Sequence, residues 1–307
     1  MPRFCVFGAM ALRLAAQPIA GLFDYDRAKT APLHCEPIVQ RMDALVRGCG
    51  FAGPHGGQVN LILVTPKSAK PPYAGVLFQH GGGQSMTNYL SEALVLARAG
   101  TVSMLTDAPA RGEGVVSELN QTKLDESQRF QADVVISLRM ALDHLLNQKG
   151  VDPKRIGFVG HSYGAIAGGV LTGVEHRIGA FVLLGGLTAE NEHIRASSSP
   201  YWLEMRRRMT EDEFVRTMKK IEATDPAGFL PSAKAPLLVQ CARLDTPDNV
   251  AMCPGVHDLA GGPKRLVWYD EDHQFTSWEA AKDRLNWLAQ YLAVHDVRGR
   301  PRDFLSP

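Results

Sequence analysis

From residue 58 onward, short runs of apolar and β-branched residues alternate with longer stretches of helical period. The short runs are 58–65, 74–79, 101–107, 155–160, 178–184, 236–241 and 264–270. The spacing predicts helices over 87–99, 125–149, 165–173 and 276–294. In the second of these, Phe130, Val134, Leu138, Ala141, Leu142 and Leu145 fall near one face, as a helix packed on a core requires. The strand runs are apolar almost throughout, so both of their faces must be covered. That pattern predicts an α/β, doubly wound, mostly parallel eight-stranded sheet with helices on both faces. The domain is expected over 40–295. Residues 1–39 read as an extension or loosely packed segment, and 296–307 as a tail. Residues 185–235 are more polar and longer than a crossover needs, and read as a small helical cap insertion.

Open sheets of this kind bind ligands at the carboxyl ends of their strands, and the unusual residues fall there. The run 155–160 leads into Gly160-His161-Ser162-Tyr163-Gly164. A serine hydroxyl becomes a useful nucleophile when a base takes its proton and when it stands clear of the sheet. A sharp strand-to-helix turn exposes it, and flanking glycines let the turn close. Ser162 is therefore the candidate nucleophile. Asp245 follows the run 236–241, and His273 follows the run 264–270, giving the chain order Ser, Asp, His. Asp248 is the alternative acid, and would otherwise be a helix cap or first-turn carboxylate. His80 and His161 read as packing or loop-shaping residues, and His257 lies before its strand, at the wrong end.

The fourth element is His80-Gly81-Gly82-Gly83. Charge that builds on a carbonyl oxygen during acyl transfer is stabilised by two aimed backbone N–H groups. Gly82 or Gly83 is expected to give one, and Tyr163 the other.

In order and in wording, "HGGG", "GHSYGA", "ARLD" and "DHQF" resemble the α/β-hydrolase superfamily over about residues 40–295. The phrases "DAPARGEG" and "KRLVWYDEDH" are similar to its dienelactone-hydrolase-like and acetyl-xylan-esterase-like branch. The resemblance implies the α/β-hydrolase fold and hydrolysis of esters or related acyl bonds with no cofactor. Dienelactone hydrolases carry a cysteine where Ser162 stands, so their substrate is not implied. A carboxylesterase on small-molecule esters is the leading expectation. A peptidase or amidase with the same three residues, and a non-catalytic binding protein, are the alternatives. Within the insertion, Tyr201, Trp202 and Met205 can share a helix face with Met209 and are the expected substrate-binding residues. The opposite face, Arg206, Arg207 and Glu211, is expected to be wet.

Composition narrows the rest. The chain has 307 residues, is 45% hydrophobic and 21% charged, and carries a net charge of +1. It has no long basic run, which argues against a nucleic-acid partner. No motif with metal-ligand spacing occurs, and no dinucleotide or phosphate loop follows a strand. No apolar run reaches the roughly 20 residues of a membrane span. The five cysteines, Cys5, Cys35, Cys49, Cys241 and Cys253, are expected as reduced thiols of a cytoplasmic protein, with Cys241–Cys253 the one pairing considered. Residues 1–20 also resemble a short secretory leader, which would place the protein outside the cytoplasm.

Overall fold

The structure, a computed structural model, describes residues 21–107, 121–188, 195, 197–198 and 200–294. Its elements are β1 (His34–Cys35), β2 (Val39–Arg41), β3 (Ala44–Ala52), β4 (Gln58–Pro66), β5 (Tyr73–Gln79), α1 (Leu90–Arg98), β6 (Thr101–Thr106), α2 (Gln121–Leu146), β7 (Val151–His161), α3 (Tyr163–Val174) and β8 (Ala180–Leu184). They continue with α4 (Pro200–Arg208), α5 (Glu211–Glu222), β9 (Leu237–Ala242), α6 (Pro247–Leu259), β10 (Lys264–Tyr269) and α7 (Trp278–Tyr291). Local chemistry sets several starts. Thr210 and Glu213 form a reciprocal capping box before α5. Thr246 caps α6, whose first residue is Pro247. Ser277 accepts the Ala280 N–H at the start of α7.

One sheet runs in the order β1-β3-β4-β6-β5-β7-β8-β9-β10, and β2 also pairs with β3. The strands from β6 to β10 in that order are mutually parallel, while β3 and β4 run antiparallel at one side. The fold class is the one expected. The strand count is ten rather than eight. The seven runs of the sequence are β4 to β10, and β1, β2 and β3 lie outside them; β1 and β2 are two and three residues long and wholly exposed, so no apolar pattern marks them. The chain moves from β5 to β6 on one side and returns to β7 on the other, which puts the switch in strand order at β5 and β7.

Period-2 alternation feeds two cores. Leu77, Phe158, Leu183 and Val239 face the side covered by α2 and α3. Val76, Phe78, Val159, Val182, Leu184 and Leu238 face α1 and α7. Burying each such side chain contributes about 1.5–3 kcal/mol. Residues ahead of β3 dock on this body too: Phe23 meets Phe229 edge-on at 5.5 Å, and Tyr25 Oη donates to Asp143 at 2.6 Å. Residues 185–235 hold α4 and α5, with α5 burying Phe214, Thr217 and Met218 and joined to α2 by the Gln128 Nε2–Lys220 carbonyl bond at 3.3 Å.

The expectation of reduced cysteines is corrected. Cys35 and Cys49 are bonded, as are Cys241 and Cys253. Cys35 sits directly opposite Cys49 across the β1–β3 pairing, a neighbourhood visible only once register is known. Cys253 lies on α6, which returns along β9 and brings its Cα within 6.0 Å of that of Cys241. Cys5 lies outside the described residues.

Between α1 and α7 a charged pair is enclosed. Arg284 donates to Glu92 at 2.6 and 3.2 Å and to Gln240 Oε1 at 3.2 Å, with Glu92 5% and Arg284 3% exposed. Removing one partner strands the other charge in the core. Glu92→Ala is expected to lower unfolding free energy by about 3–5 kcal/mol. Replacing both residues together with apolar ones of similar volume should recover most of that loss, with urea denaturation as the measurement.

Candidate active site

Ser162 is the single residue between β7 and α3, and its backbone sits at φ +50°, ψ −111°. A non-glycine residue in that region is strained unless its surroundings impose it. Here they do. A Cβ on Gly160 would lie 2.3 Å from the Gly164 carbonyl oxygen, and one on Gly164 would lie 2.3 Å from the Gln79 carbonyl oxygen. The two glycines let β7, α3 and the end of β5 close on one another. The Ser162 N–H donates to the Leu184 carbonyl at 2.7 Å, fixing the turn to β8.

The three residues expected from the sequence meet. His273 Nε2 is 2.8 Å from Ser162 Oγ, and His273 Nδ1 is 2.5 Å from Asp245 Oδ2. The other oxygen of Asp245 accepts the Thr246 N–H at 2.7 Å and Asn249 Nδ2 at 2.8 Å. The Asp245 side chain is 4% exposed and that of His273 27%. Burial alone would push the Asp245 carboxyl up. The hydrogen bonds from His273, Asn249 and Thr246 outweigh it and hold the carboxyl below its ordinary range. Asp248, the alternative acid, instead takes the hydroxyl of Ser197 on the insertion. His257 pairs with its neighbour Asp258 at 2.9 Å.

The glycine loop follows β5, beside the nucleophile. Gly82 and Gly83 are exposed, with φ +73° at Gly83 and, among the described residues, no neighbour within 4 Å of a Cβ on either. Tyr163 is the first residue of α3, so its N–H lies at the N-terminus of that helix, directly after Ser162. His80 holds the loop's start, with Nδ1 2.6 Å from the Gly81 carbonyl and Nε2 2.7 Å from Asp107. His161 is likewise more than packing. Its Nε2 is 2.6 Å from the His273 carbonyl and its Nδ1 2.8 Å from Gln84 Oε1.

Three contributors were not read from the sequence. Gly185, at φ +54°, leaves a space that a Cβ would fill 3.0 Å from the His273 ring. Asn249 and Gln84 act through contacts made only after folding. The side chains of Tyr201, Trp202 and Met205 lie outside the described residues, although α4, which carries them, is described. Among the described residues no group of three His, Cys, Asp or Glu could hold a metal ion, and no helix is long and apolar enough to cross a membrane.

A family model described as "Alpha/beta hydrolase family" matches residues 76–300. Among solved structures, an acetyl xylan esterase from Paenibacillus sp. R4 superposes with a TM-score of 0.72 at 21% identity, over 85% of this chain and 89% of that one. Acetyl xylan esterase 1 from Thermoanaerobacterium sp. JW/SL YS485 gives 0.73 at 14% identity, over 90% and 92%. A dienelactone hydrolase from Anabaena variabilis ATCC 29413 gives 0.54 at 20% identity, over 81% and 99%. No curated protein matches significantly.

The site also makes a prediction about acid stability. Burial, reinforced by the neighbouring charges of His273 and Arg284, pushes the His161 pKa down to about 4 against the pull of the His273 carbonyl and Asp245. The unfolded value is near 6.5, so on acidification the unfolded chain takes the proton first. The contribution is complete above about pH 6.5 and shrinks as pH falls towards about 4, by about 3 kcal/mol in all. His161→Asn should flatten that part of the stability profile, measured by urea unfolding at pH 7, 5.5 and 4.

Proposed function

The chain belongs to the alpha/beta hydrolase family, and we propose that within it the protein is a serine carboxylesterase. The observation that carries this reading is the unbroken path Ser162–His273–Asp245, with contacts of 2.8 and 2.5 Å beyond the carboxyl ends of β7, β10 and β9. Ser162 Oγ attacks the ester carbonyl as His273 Nε2 accepts its proton. Asp245 holds Nδ1–H and stabilises the imidazolium that forms. Backbone N–H groups of Tyr163 and of Gly82 or Gly83 take the developing oxyanion. His273 then protonates the departing alcohol, and water, deprotonated by the same ring, releases the acid from Ser162. Oxygen, proton and acyl group balance with no cofactor. Two of the superposed structures are acetyl xylan esterases, so short acyl groups on sugar hydroxyls are the first substrates to assay.

Ser162→Ala should reduce kcat/KM on p-nitrophenyl acetate by at least about 10³-fold while leaving the melting temperature near that of the native protein. A fluorophosphonate should attach to Ser162. Retention of most of the native rate, or labelling of another residue, excludes this nucleophile. The matching p-nitroanilide should turn over much more slowly than the ester. A comparable rate would favour the amidase reading.

Tyr201, Trp202 and Met205 are the acyl-site candidates on α4. Trp202→Ala is expected to change the ranking of acetate, butyrate and octanoate esters by more than it changes stability. A loss of about 3–5 kcal/mol with an unaltered ranking would make Trp202 a core residue instead.

A further inference from the structure

One side chain that the chemistry above does not use joins three loops of the site. Gln84 Oε1 accepts the Gly81 N–H at 2.9 Å and stands 2.8 Å from His161 Nδ1. Its Nε2 donates to Gln274 Oε1 at 2.8 Å. Across the same imidazole, His161 Nε2 reaches the carbonyl of His273 at 2.6 Å. The neutral His161 ring carries one N–H, so one of its two contacts is a hydrogen bond and the other a close packing contact; together they tie the glycine loop, through the residue before the nucleophile, to the base, and Gln84 Nε2 ties in the residue after it. We propose that Gln84 is a positioning residue, holding the glycine loop in register with Ser162 and His273. The proposal rests on the serine esterase reading.

The loop itself cannot fix its own position. Gly82 and Gly83 have no side chains and, among the described residues, no packed neighbours at their Cβ sites, so alignment comes from the ends. Both polar groups of Gly81 are held. His80 Nδ1 and the Gln84 N–H share its carbonyl, at 2.6 and 3.3 Å, and the Gln84 side chain takes its N–H. Because a peptide unit is planar, holding the Gly81 carbonyl also sets the direction of the Gly82 N–H. Donors of this kind act only when pre-aimed at the oxygen that becomes charged. The fit around Gly81 is tight: a Cβ there would lie 2.9 Å from His161 Nδ1, 3.0 Å from Ser162 Cβ and 3.2 Å from Gln84 Oε1. Gln84 is half-buried on a loop, outside both cores.

The test replaces the carboxamide by an apolar chain of similar length. In Gln84→Met, kcat on p-nitrophenyl acetate should fall about 10- to 100-fold, with KM within about twofold and the melting temperature within about 2 °C. Phosphonylation of Ser162 should slow by a similar factor. Gln84→Met combined with His161→Asn should be no slower than the worse single variant, because both act through one path. A Gln84→Met enzyme above half the native kcat overturns the proposal, as do single-variant losses that multiply in the double variant. If native Ser162 takes no fluorophosphonate and Ser162→Ala keeps its rate, the esterase reading fails and this inference falls with it. If native Ser162 is labelled and Gln84→Met is labelled equally fast, the inference alone fails.

Discussion

Ser162 keeps a left-handed backbone because three segments of main chain meet beside it at contact distance. Gly160 faces Gly164, and Gly164 faces the carbonyl of Gln79. A methyl group at either place would part β7 from α3 or α3 from β5. The hydroxyl's exposure, the placement of the Tyr163 N–H and the position of the glycine loop all descend from that closure, since the loop leaves directly from the end of β5. The turn is strained locally and held globally, between two cores that bury the strands on either side. The strain is stored where chemistry needs an exposed group, and it persists because the sheet leaves the chain no other course.

Each further member of the site solves a problem of desolvation. Asp245 is buried and would resist charge, but three donors surround it, so it stays ionised beside the imidazole. Arg284 and Glu92 solve the same problem in a drier place, beneath α1 and α7, by enclosing each other. The two arrangements differ in consequence. The Asp245 carboxylate is oriented towards a ring that is partly open to solvent, so its charge can be used. The Arg284–Glu92 pair is sealed and serves to fix α1 and α7 against the sheet.

What the sequence disclosed follows from the range over which each signal acts. The apolar runs from 58 onward mark strands because burial on both faces leaves room only for polar residues that find partners inside, such as Gln240. The order Ser162, Asp245, His273 could be read because each lies just past such a run. β1 and β2 carry no such mark, being short and solvated at the sheet's edge. The Cys35–Cys49 bond depends on register across β1 and β3, which no local pattern specifies. The Gln84–Gln274 contact joins residues 190 positions apart, and neither glutamine stands out among its neighbours. The role of Asn249 is hidden for a related reason: four residues after Asp245, it looks like an ordinary polar position in the first turns of α6.

The Cys241–Cys253 bridge encloses Asp245 and Asn249 within a covalently closed segment, anchored at the end of β9 and in the body of α6. Lengthening or shortening that segment would displace the carboxylate from the ring it orients. Residues 185–235 have no comparable closure among the described residues. They are secured by packing of α5 and by isolated polar contacts such as Gln128 with the Lys220 carbonyl. The fold thus separates a segment closed by a covalent bond, which holds Asp245 against His273, from a segment held by packing and single hydrogen bonds. A change of length in the second segment would leave the closed one, and with it the contact of Asp245 to His273, as it is.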